Sequence, residues 1–413
     1  MLRMQPFELR GGGLLLAVPT EDDVGRLTEI CQDPENRRWT TIPVPYSRSD
    51  AETFVTVTVP QGWSSTRELT WAIRDPEDRR VLGVISIRLT GGGRGEIGFN
   101  LAPEARGARV ASRAVRLVAE YAFDPEGLGL GHLHWWAYVG NWASRRVVWA
   151  TGFQFEGMVR GARLQRGESR DSWVSTLAAG DPMKPATPWL KTPILSSNRV
   201  TLRPFRESDA AALVEACGDP LTQHWLSSLP SPYTHDDARA YIRGREEESA
   251  AGRGVYWAAE LPDGEAAMGS FSLMGLNTYD GGAEVGYWVH PSARGIGLAT
   301  EAVALLAAHA FAPAESGGRG LRRLVVRHAA GNGASRKVIE RASFRPYGVE
   351  RAGIHIRGGF VVDQHWYDLL ADDWQRLRDQ RSGPAKDRVE RSGQVAAAID
   401  HDAGKAQPGG HGG

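Results

Sequence analysis

Two stretches of this chain put a carboxylate, glycines and an arginine at the junction of a strand and a helix. Residues 284–300 read EVGYWVHPSARGIGLAT, and residues 96–112 read EIGFNLAPEARGARVAS. In the first, Val285, Tyr287 and Val289 alternate with Glu284, Gly286 and Trp288. A strand here therefore turns one apolar face to a core and sets Glu284 on the other, beside a glycine that admits close approach. Pro291 ends the strand, and Arg294-Gly295-Ile296-Gly297-Leu298-Ala299-Thr300 opens a helix predicted over 295–311. The first N–H groups of a helix have no internal partner and carry partial positive charge, and glycines let a bulky anion reach them. This is a phosphate cradle without the Lys-Ser/Thr of an ATP-binding loop, so nucleotide hydrolysis is not expected. The second stretch repeats Glu96, Gly98, Arg106 and Gly107 but carries Arg109 where the first has Gly297. A side chain at that position either blocks an anion or adds charge to it.

The repetition extends along the chain. EICQDP at 29–34 returns as EACGDP at 215–220, and IPVPYSRSDAETFV at 42–55 as LPSPYTHDDARAYI at 229–242. GNWASRRVVWATGF at 140–153 returns as GNGASRKVIERASF at 331–344, so Asn141 and Ser144 match Asn332 and Ser335. Two tandem copies of one fold follow. The expected domains are 1–182 and 194–376, with a proline-rich connector at 183–193 and a polar, glycine-rich disordered tail at 377–413. Each copy mixes strands and helices without strict alternation: an opening strand, two helices around a Pro-rich loop, three strands, a long helix, a strand, a short helix and closing strands. That is an α+β class, with a mixed, mostly antiparallel sheet flanked by helices.

The whole chain has 413 residues, 49 Lys+Arg against 49 Asp+Glu, and two cysteines. The charge balance offers no net field for nucleic acid or an anionic membrane. Two cysteines exclude a disulfide scaffold and a cysteine zinc cluster, no metal site is expected, and a reducing cytoplasm is the expected location. Cys31 and Cys217 occupy equivalent places and read as small core residues. Trp39 and Trp225, with Tyr46 and Tyr233, flank the Pro-rich loop and are expected at an acceptor pocket; His290 and His328 read as structural.

Arg-x-x-Gly-x-Ala after a Glu-bearing strand resembles the acetyl-CoA pyrophosphate loop of the GNAT N-acetyltransferase superfamily. Asn332-x-x-Ser335, the closing ASF at 342–344 and Leu202-Arg203-Pro204 are similar to its Rim-type branch, which acetylates ribosomal-protein N-termini. The resemblance covers roughly 1–180 and 194–375. It implies an acetyl-CoA-dependent N-acetyltransferase. Amides from Ile296 to Thr300, including Leu298 and Ala299, would hold the pyrophosphate beside Arg294 and Gly295, with Arg106 and Gly107 their counterparts. Asn332 and Asn141 would lie by the pantetheine arm, between strands that splay apart. Glu284 and Glu96 match a general-base position, or are solvated strand carboxylates. Many members carry a tyrosine acid seven residues after the Asn; Ile339 and Val148 stand there, leaving Ser335 and Ser144 as proton donors or as ordinary helix-start residues. The acceptor implied is a protein N-terminal α-amine; the alternatives are a small amine such as an antibiotic or polyamine, or a first domain that only binds acyl-CoA. The chain is expected as a monomer, its two domains mimicking a dimer of single-domain relatives, or as a homodimer.

Overall fold

The computed structural model describes residues 5–264, 266–276 and 281–382. The chain divides into two units at Ala186/Thr187. Each holds one eight-stranded sheet with the same topology. In unit 1 the strands are β1 (Leu9–Gly11), β2 (Leu14–Ala17), β3 (Glu68–Arg74), β4 (Val81–Gly91), β5 (Arg94–Leu101), β6 (His132–Tyr138), β7 (Gln154–Gln165) and β8 (Glu168–Ala178), ordered β1-β2-β3-β4-β5-β6-β8-β7. In unit 2 they are β9 (Leu195–Ser196), β10 (Thr201–Arg203), β11 (Gly254–Glu260), β12 (Gly269–Met274), β13 (Gly282–Val289), β14 (Arg323–Ala329), β15 (Arg345–Ile356) and β16 (Phe360–Leu370), ordered β9-β10-β11-β12-β13-β14-β16-β15. All pairings are antiparallel except β5 with β6 and β13 with β14. The α+β reading holds in both halves.

The helices of unit 1 are α1 (Val24–Gln32), α2 (Pro34–Trp39), α3 (Arg48–Thr53), α4 (Val59–Ser64), α5 (Val110–Phe123) and α6 (Trp142–Ala150). Those of unit 2 are α7 (Ala210–Gly218), α8 (Pro220–Trp225), α9 (His235–Ala250), α10 (Leu298–Phe311), α11 (Gly333–Arg341) and α12 (Ala371–Ser382). Their starts are written locally. Asp33 and Asp219 cap α2 and α8, each with proline at the first helical position, which explains the recurring Asp-Pro. Ser47 with Asp50, and Thr234 with Asp237, form capping boxes at α3 and α9. The second helix is continuous in unit 2. In unit 1 a π-helical turn, Phe54–Thr58, separates α3 from α4, because Pro60 has no N–H to donate and its ring crowds the preceding turn.

Long helix α5 buries Val110, Ala111, Ala114, Val115, Val118, Ala119 and Ala122, an i, i+3/i+4 stripe packed on the sheet. Fully buried Trp63, Trp71, Trp135 and Trp173 complete that core, and Trp257 with Phe271 the second. Each core also holds a buried ion pair: Arg74 with Asp23 (2.5 Å) in unit 1, Arg203 with Asp209 (2.8 Å) in unit 2.

Three boundaries differ from the sequence reading. The long helix begins at Leu298, not 295, because Gly295 and Gly297 adopt left-handed backbone ahead of it. The connector is not a free spacer: Met183 packs on the first core, while Leu190 is buried in unit 2, donates its N–H to Ser249, and Pro193 accepts from Trp257 Nε1. Residues 377–382, expected in the tail, continue α12. That helix starts with Asp372 and Asp373 in its first turn and anchors Trp374 in the core. The rest of the expected tail, 383–413, lies outside the described residues.

Candidate active site

The two loops share one backbone path. Arg294 and Arg106 are extended (φ −75°, ψ 151° and φ −74°, ψ 152°), Gly295 and Gly107 have φ +79° and +80°, and Gly297 and Arg109 are both left-handed N-caps, at φ +87° and +57°. Arg109 therefore keeps the loop geometry at the cost of the strain a non-glycine residue bears there. A Cβ built on Gly295 or Gly107 meets nothing within 4 Å, so both loops present bare backbone to open space in front of a helix N-terminus.

The loop arginines do not face that space. Arg294 Nη2 donates to Asp219 Oδ2 (2.6 Å) and Thr222 Oγ1 (2.8 Å), at the start of α8. Arg106 pairs in the same way with Asp33. Burial pushes the Asp219 carboxyl up, but the hydrogen bonds from Arg294 and the Thr222 amide outweigh it and hold the group below the usual carboxylate range. These arginines fasten the loop to the preceding helix cap. In unit 2 a guanidinium reaches the loop from elsewhere: Arg199, in the turn before β10, donates to Ile296 O (2.7 Å) and lies 3.4 Å from a Cβ built on Gly297.

Beside each loop the sheet is split. β13 and β14 pair only at Gly282–Glu284 with Arg323–Val325, and β5 and β6 only at Arg94–Ile97 with His132–Trp135. Past those residues the strands part, leaving Val285–Val289 and Gly98–Leu101 with no strand on that side. Glu284 and Glu96 stand at the fork. Each is held by an arginine: Arg327 Nε donates to Glu284 (2.7 Å), and Arg163 Nη2 to Glu96 (2.6 Å).

Asn332 and Asn141 cap α11 and α6, their side-chain oxygens accepting from the Ser335 and Ser144 amides (3.1 and 3.2 Å). Asn-x-x-Ser thus has a structural duty in both copies. The serine hydroxyls face the fork strands. Ser335 Oγ lies 2.8 Å from Tyr287 Oη, and Ser144 Oγ accepts from Trp135 Nε1 (3.1 Å). Tyr287, read from alternation as core, is half-buried with its hydroxyl on Ser335, and burial pushes that phenol up to about 12. Phe99 replaces it in unit 1, so no phenol serves there.

A profile of the acetyltransferase (GNAT) domain matches residues 14–154 and 199–345, one match per unit, each spanning loop and fork. The chain belongs to the GNAT acetyltransferase family. YdaF of Bacillus subtilis, provisionally named a ribosomal N-acetyltransferase, is 30% identical over 181 residues, which is 43% of this chain and 95% of that protein. The uncharacterised N-acetyltransferase YoaA of the same organism is 28% identical over 117 residues, 28% of this chain and 65% of its own. Among solved structures, Mycobacterium smegmatis RimJ in complex with CoA-disulfide is 24% identical and covers 46% of this chain and 92% of its own, with a TM-score of 0.39.

Within this GNAT frame unit 1 holds a cavity of about 460 Å³ between β3–β5 and helices α1 and α3. Cys31, Tyr46, Thr70, Ser86, Gly98 and Asn100 line it, with Asp50 and Glu68 as its carboxylates and no Lys, Arg or His. Gly98 ties it to the fork. Tyr46 is in the lining as expected, but Trp39 is not: its ring packs 3.2 Å from a Cβ built on Gly140, and its Nε1 donates to Glu35. Cys31 is a small buried core residue as expected, and it also lines the cavity; burial pushes its thiol up to about 11. A larger hollow of about 590 Å³ surrounds the Arg74–Asp23 pair, far along the sheet from loop and fork, and shares none of their residues. Among the described residues no group of His, Cys, Asp and Glu could hold a metal, and no helix is long and apolar enough to cross a membrane.

Proposed function

We propose that the chain moves the acetyl group of acetyl-CoA to a primary amine, with a protein N-terminal α-amine as the leading acceptor. The observation that carries this is the pairing, in each unit, of a bare glycine loop at a helix N-terminus with two parallel strands that separate beside it. The loop suits a pyrophosphate, through the amides of Ile296 to Thr300 and their unit 1 equivalents after Gly107. The fork suits the thioester arm, and its free strand edge offers N–H groups to the oxyanion. The amine nitrogen attacks the acetyl carbon, the carbon–sulfur bond breaks, and the amine's proton passes to a base. Glu96 or Glu284, at the fork and ion-paired, fills that role. The α-amine has a pKa near 7.7–8.0 and the leaving thiol one near 8.5, so neither a strong base nor a strong acid is required. Ser144 and Ser335 are the proton donors in this reading, each hydrogen-bonded to an aromatic side chain. YdaF's name supports the ribosomal acceptor.

A small amine is the second reading, favoured by one observation: the unit 1 cavity carries two carboxylates and no basic side chain. Titration calorimetry with acetyl-CoA, followed by thiol release with an N-terminal serine peptide and with putrescine, tests both. Binding with faster release on the peptide supports the first reading, and release on putrescine alone supports the second. A chain that binds no acetyl-CoA refutes both.

A further inference from the structure

The two units differ most where an acceptor would sit. Three rows of cross-strand neighbours share the sheet face under the unit 1 cavity: Glu68, Arg88 and Glu96; Thr70, Ser86 and Gly98; Ala72, Val84 and Asn100. Of these, Glu68, Thr70, Ser86, Gly98, Val84 and Asn100 line it. The same registers in unit 2 hold Gly254, Met274 and Glu284; Tyr256, Ser272 and Gly286; Ala258, Ser270 and Trp288. The consequences show at the strand glycine. A Cβ built on Gly98 meets only Ser86 Oγ, at 3.8 Å. One built on Gly286 falls 2.7 Å from Met274 Cε and 2.8 Å from Ser272 Oγ. Arg88 instead leans away from Gly98, donating to Glu68 (3.1 Å). Tyr256 folds over Gly254, its Oη 2.9 Å from a Cβ built there. Arg245, at the position of Thr58, lays its guanidinium over Tyr241 (4.5 Å) and Tyr256 (4.4 Å). Tyr241, in place of Phe54, shares a 2.8 Å hydrogen bond with Ser270. At three matched positions a short side chain of unit 1 gives way to a large one, Thr58 to Arg245, Thr70 to Tyr256 and Asn100 to Trp288, and with Tyr241 and Met274 these make a stacked, hydrogen-bonded plug in unit 2.

The geometry points to acetyl transfer in unit 1 alone, onto a primary amine carried by a compact, uncharged or cationic body that fits the cavity, while unit 2 keeps loop and fork but admits no acceptor. This rests on the acetyl-transfer reading above. The Arg109 loop is no obstacle to this, because it follows the same backbone path as the Gly297 loop. The cavity's chemistry is complementary to the amine: Asp50, and Glu68 with its charge shared by Arg88, favour the cation, and the threonine and serine hydroxyls and Ile42, Phe54 and Val84 fit a small polar–apolar body. The first residues of a peptide and a free small amine share that chemistry.

The two cysteines are matched reporters of the difference. Cys31 lines the cavity and Cys217 sits at the equivalent place behind the plug, and burial pushes both thiols up to about 11. The full-length chain is treated with methyl methanethiosulfonate, and each cysteine is followed by mass spectrometry. Burial raises both thiols alike, so the difference in access through the cavity sets the rates, and Cys31 should react at least about tenfold faster than Cys217. Thr70→Tyr, which copies the plug, should bring Cys31 down to the rate of Cys217, and Tyr256→Thr should speed Cys217. Equal rates in the native chain, or a Cys31 rate unmoved by Thr70→Tyr, overturn the proposal. Should Thr70→Tyr fail to fold, the Tyr256→Thr arm decides it. In the transfer assay, Thr70→Tyr should lose turnover while still binding acetyl-CoA, and Tyr256→Thr should keep full turnover; turnover that survives Thr70→Tyr also overturns it. The serine peptide and putrescine arms tell the two amine sources apart. Failure to bind acetyl-CoA sinks the transfer reading, whereas the thiol rates judge the cavity and plug by themselves.

Discussion

Replacing Gly297 by arginine copies the unit 1 loop into unit 2, and its cost can be worked from neighbouring atoms. Position 297 has φ +87°, further from the left-handed minimum than Arg109 at +57°. Left-handed backbone costs an L-residue roughly 1–2 kcal/mol, offset by about 0.4–1 kcal/mol through the stiffer unfolded chain. The new Cβ lies 3.4 Å from the Arg199 guanidinium, which holds Ile296 O at 2.7 Å. Two exposed guanidiniums some 6 Å apart repel by less than about 1 kcal/mol in water. The sum is a loss of roughly 1–2 kcal/mol, which lowers the unit 2 transition by about 3–6 °C at this domain size.

Unit 1 shows the compensation. Where unit 2 has Arg199, unit 1 has Gly13, in the turn before β2, and the loop itself carries Arg109 in place of Gly297. Arg199→Gly alone removes one charged hydrogen bond and costs about 1 kcal/mol. The double variant, Arg199→Gly with Gly297→Arg, reproduces unit 1 and relieves the repulsion. It should therefore cost less than the sum of the singles by about 1 kcal/mol. Scanning calorimetry of the four proteins measures this coupling. Additivity within about 0.3 kcal/mol would refute the argument that one guanidinium is wanted at this loop and its source is interchangeable.

Other perturbations read other parts of the structure. Asp209→Ala removes two charged hydrogen bonds from Arg203, 2% exposed, and leaves the buried guanidinium to Glu260; it should destabilise unit 2 by roughly 1.5–3 kcal/mol in denaturant unfolding. Asn332→Ala and Asn141→Ala each remove an N-cap bond and should cost about 1 kcal/mol, a fall of about 2–4 °C in the transition of the affected unit. His309, buried against Trp257, is pushed down to about 4 by burial and then by the Arg319 charge. Above its ordinary value of 6.5 the ring is neutral folded or unfolded. As pH falls from 6.5 to 4 only the unfolded chain takes the proton, so unit 2 should lose up to about 3 kcal/mol over that window. His309→Gln should flatten the slope between those pH values, and an unchanged slope would discharge His309 as its source.

Loop, strand glutamate and Asn-x-x-Ser were legible because their chemistry is local. Left-handed glycines, an N-cap and a two-residue alternation are all written within a few neighbouring positions, and duplication let each copy check the other. What could not be read depends on partners far away in sequence. That Arg294 is tied to Asp219, 75 residues earlier, no local pattern announces. Tyr287 packs on the core as alternation predicts, but nothing local announces that Ser335 takes its hydroxyl. The cavity needs the register that sets Thr70 opposite Ser86 and Ser86 opposite Gly98. A one-residue slip would turn all three to the other face. Tyr256, Met274 and Trp288 each pass as ordinary strand residues alone; only their adjacency in the sheet makes a plug.

The same point explains how two copies can differ at so many positions and keep one fold. The charge near the loop moves from Arg109 to Arg199. The buried cation moves from Arg74 on β3 to Arg203 on β10, with Glu260 where Arg74 would stand, while the helix-cap aspartate, Asp23 or Asp209, stays. A buried charge deprived of its partner is strongly penalised, whereas a partner supplied from a neighbouring strand satisfies the same need. Stability therefore constrains the ion pair and not the identity of the residue that supplies its cation. The acceptor cleft obeys no such rule. An open cavity contributes nothing to folding, and filling it with Tyr256 and Met274 adds dispersion contacts and buried area. Unless function keeps a cleft open, packing favours closing it. Unit 1 has kept about 460 Å³ empty beside the fork, against that tendency, and this is the physical reason for placing the acceptor there.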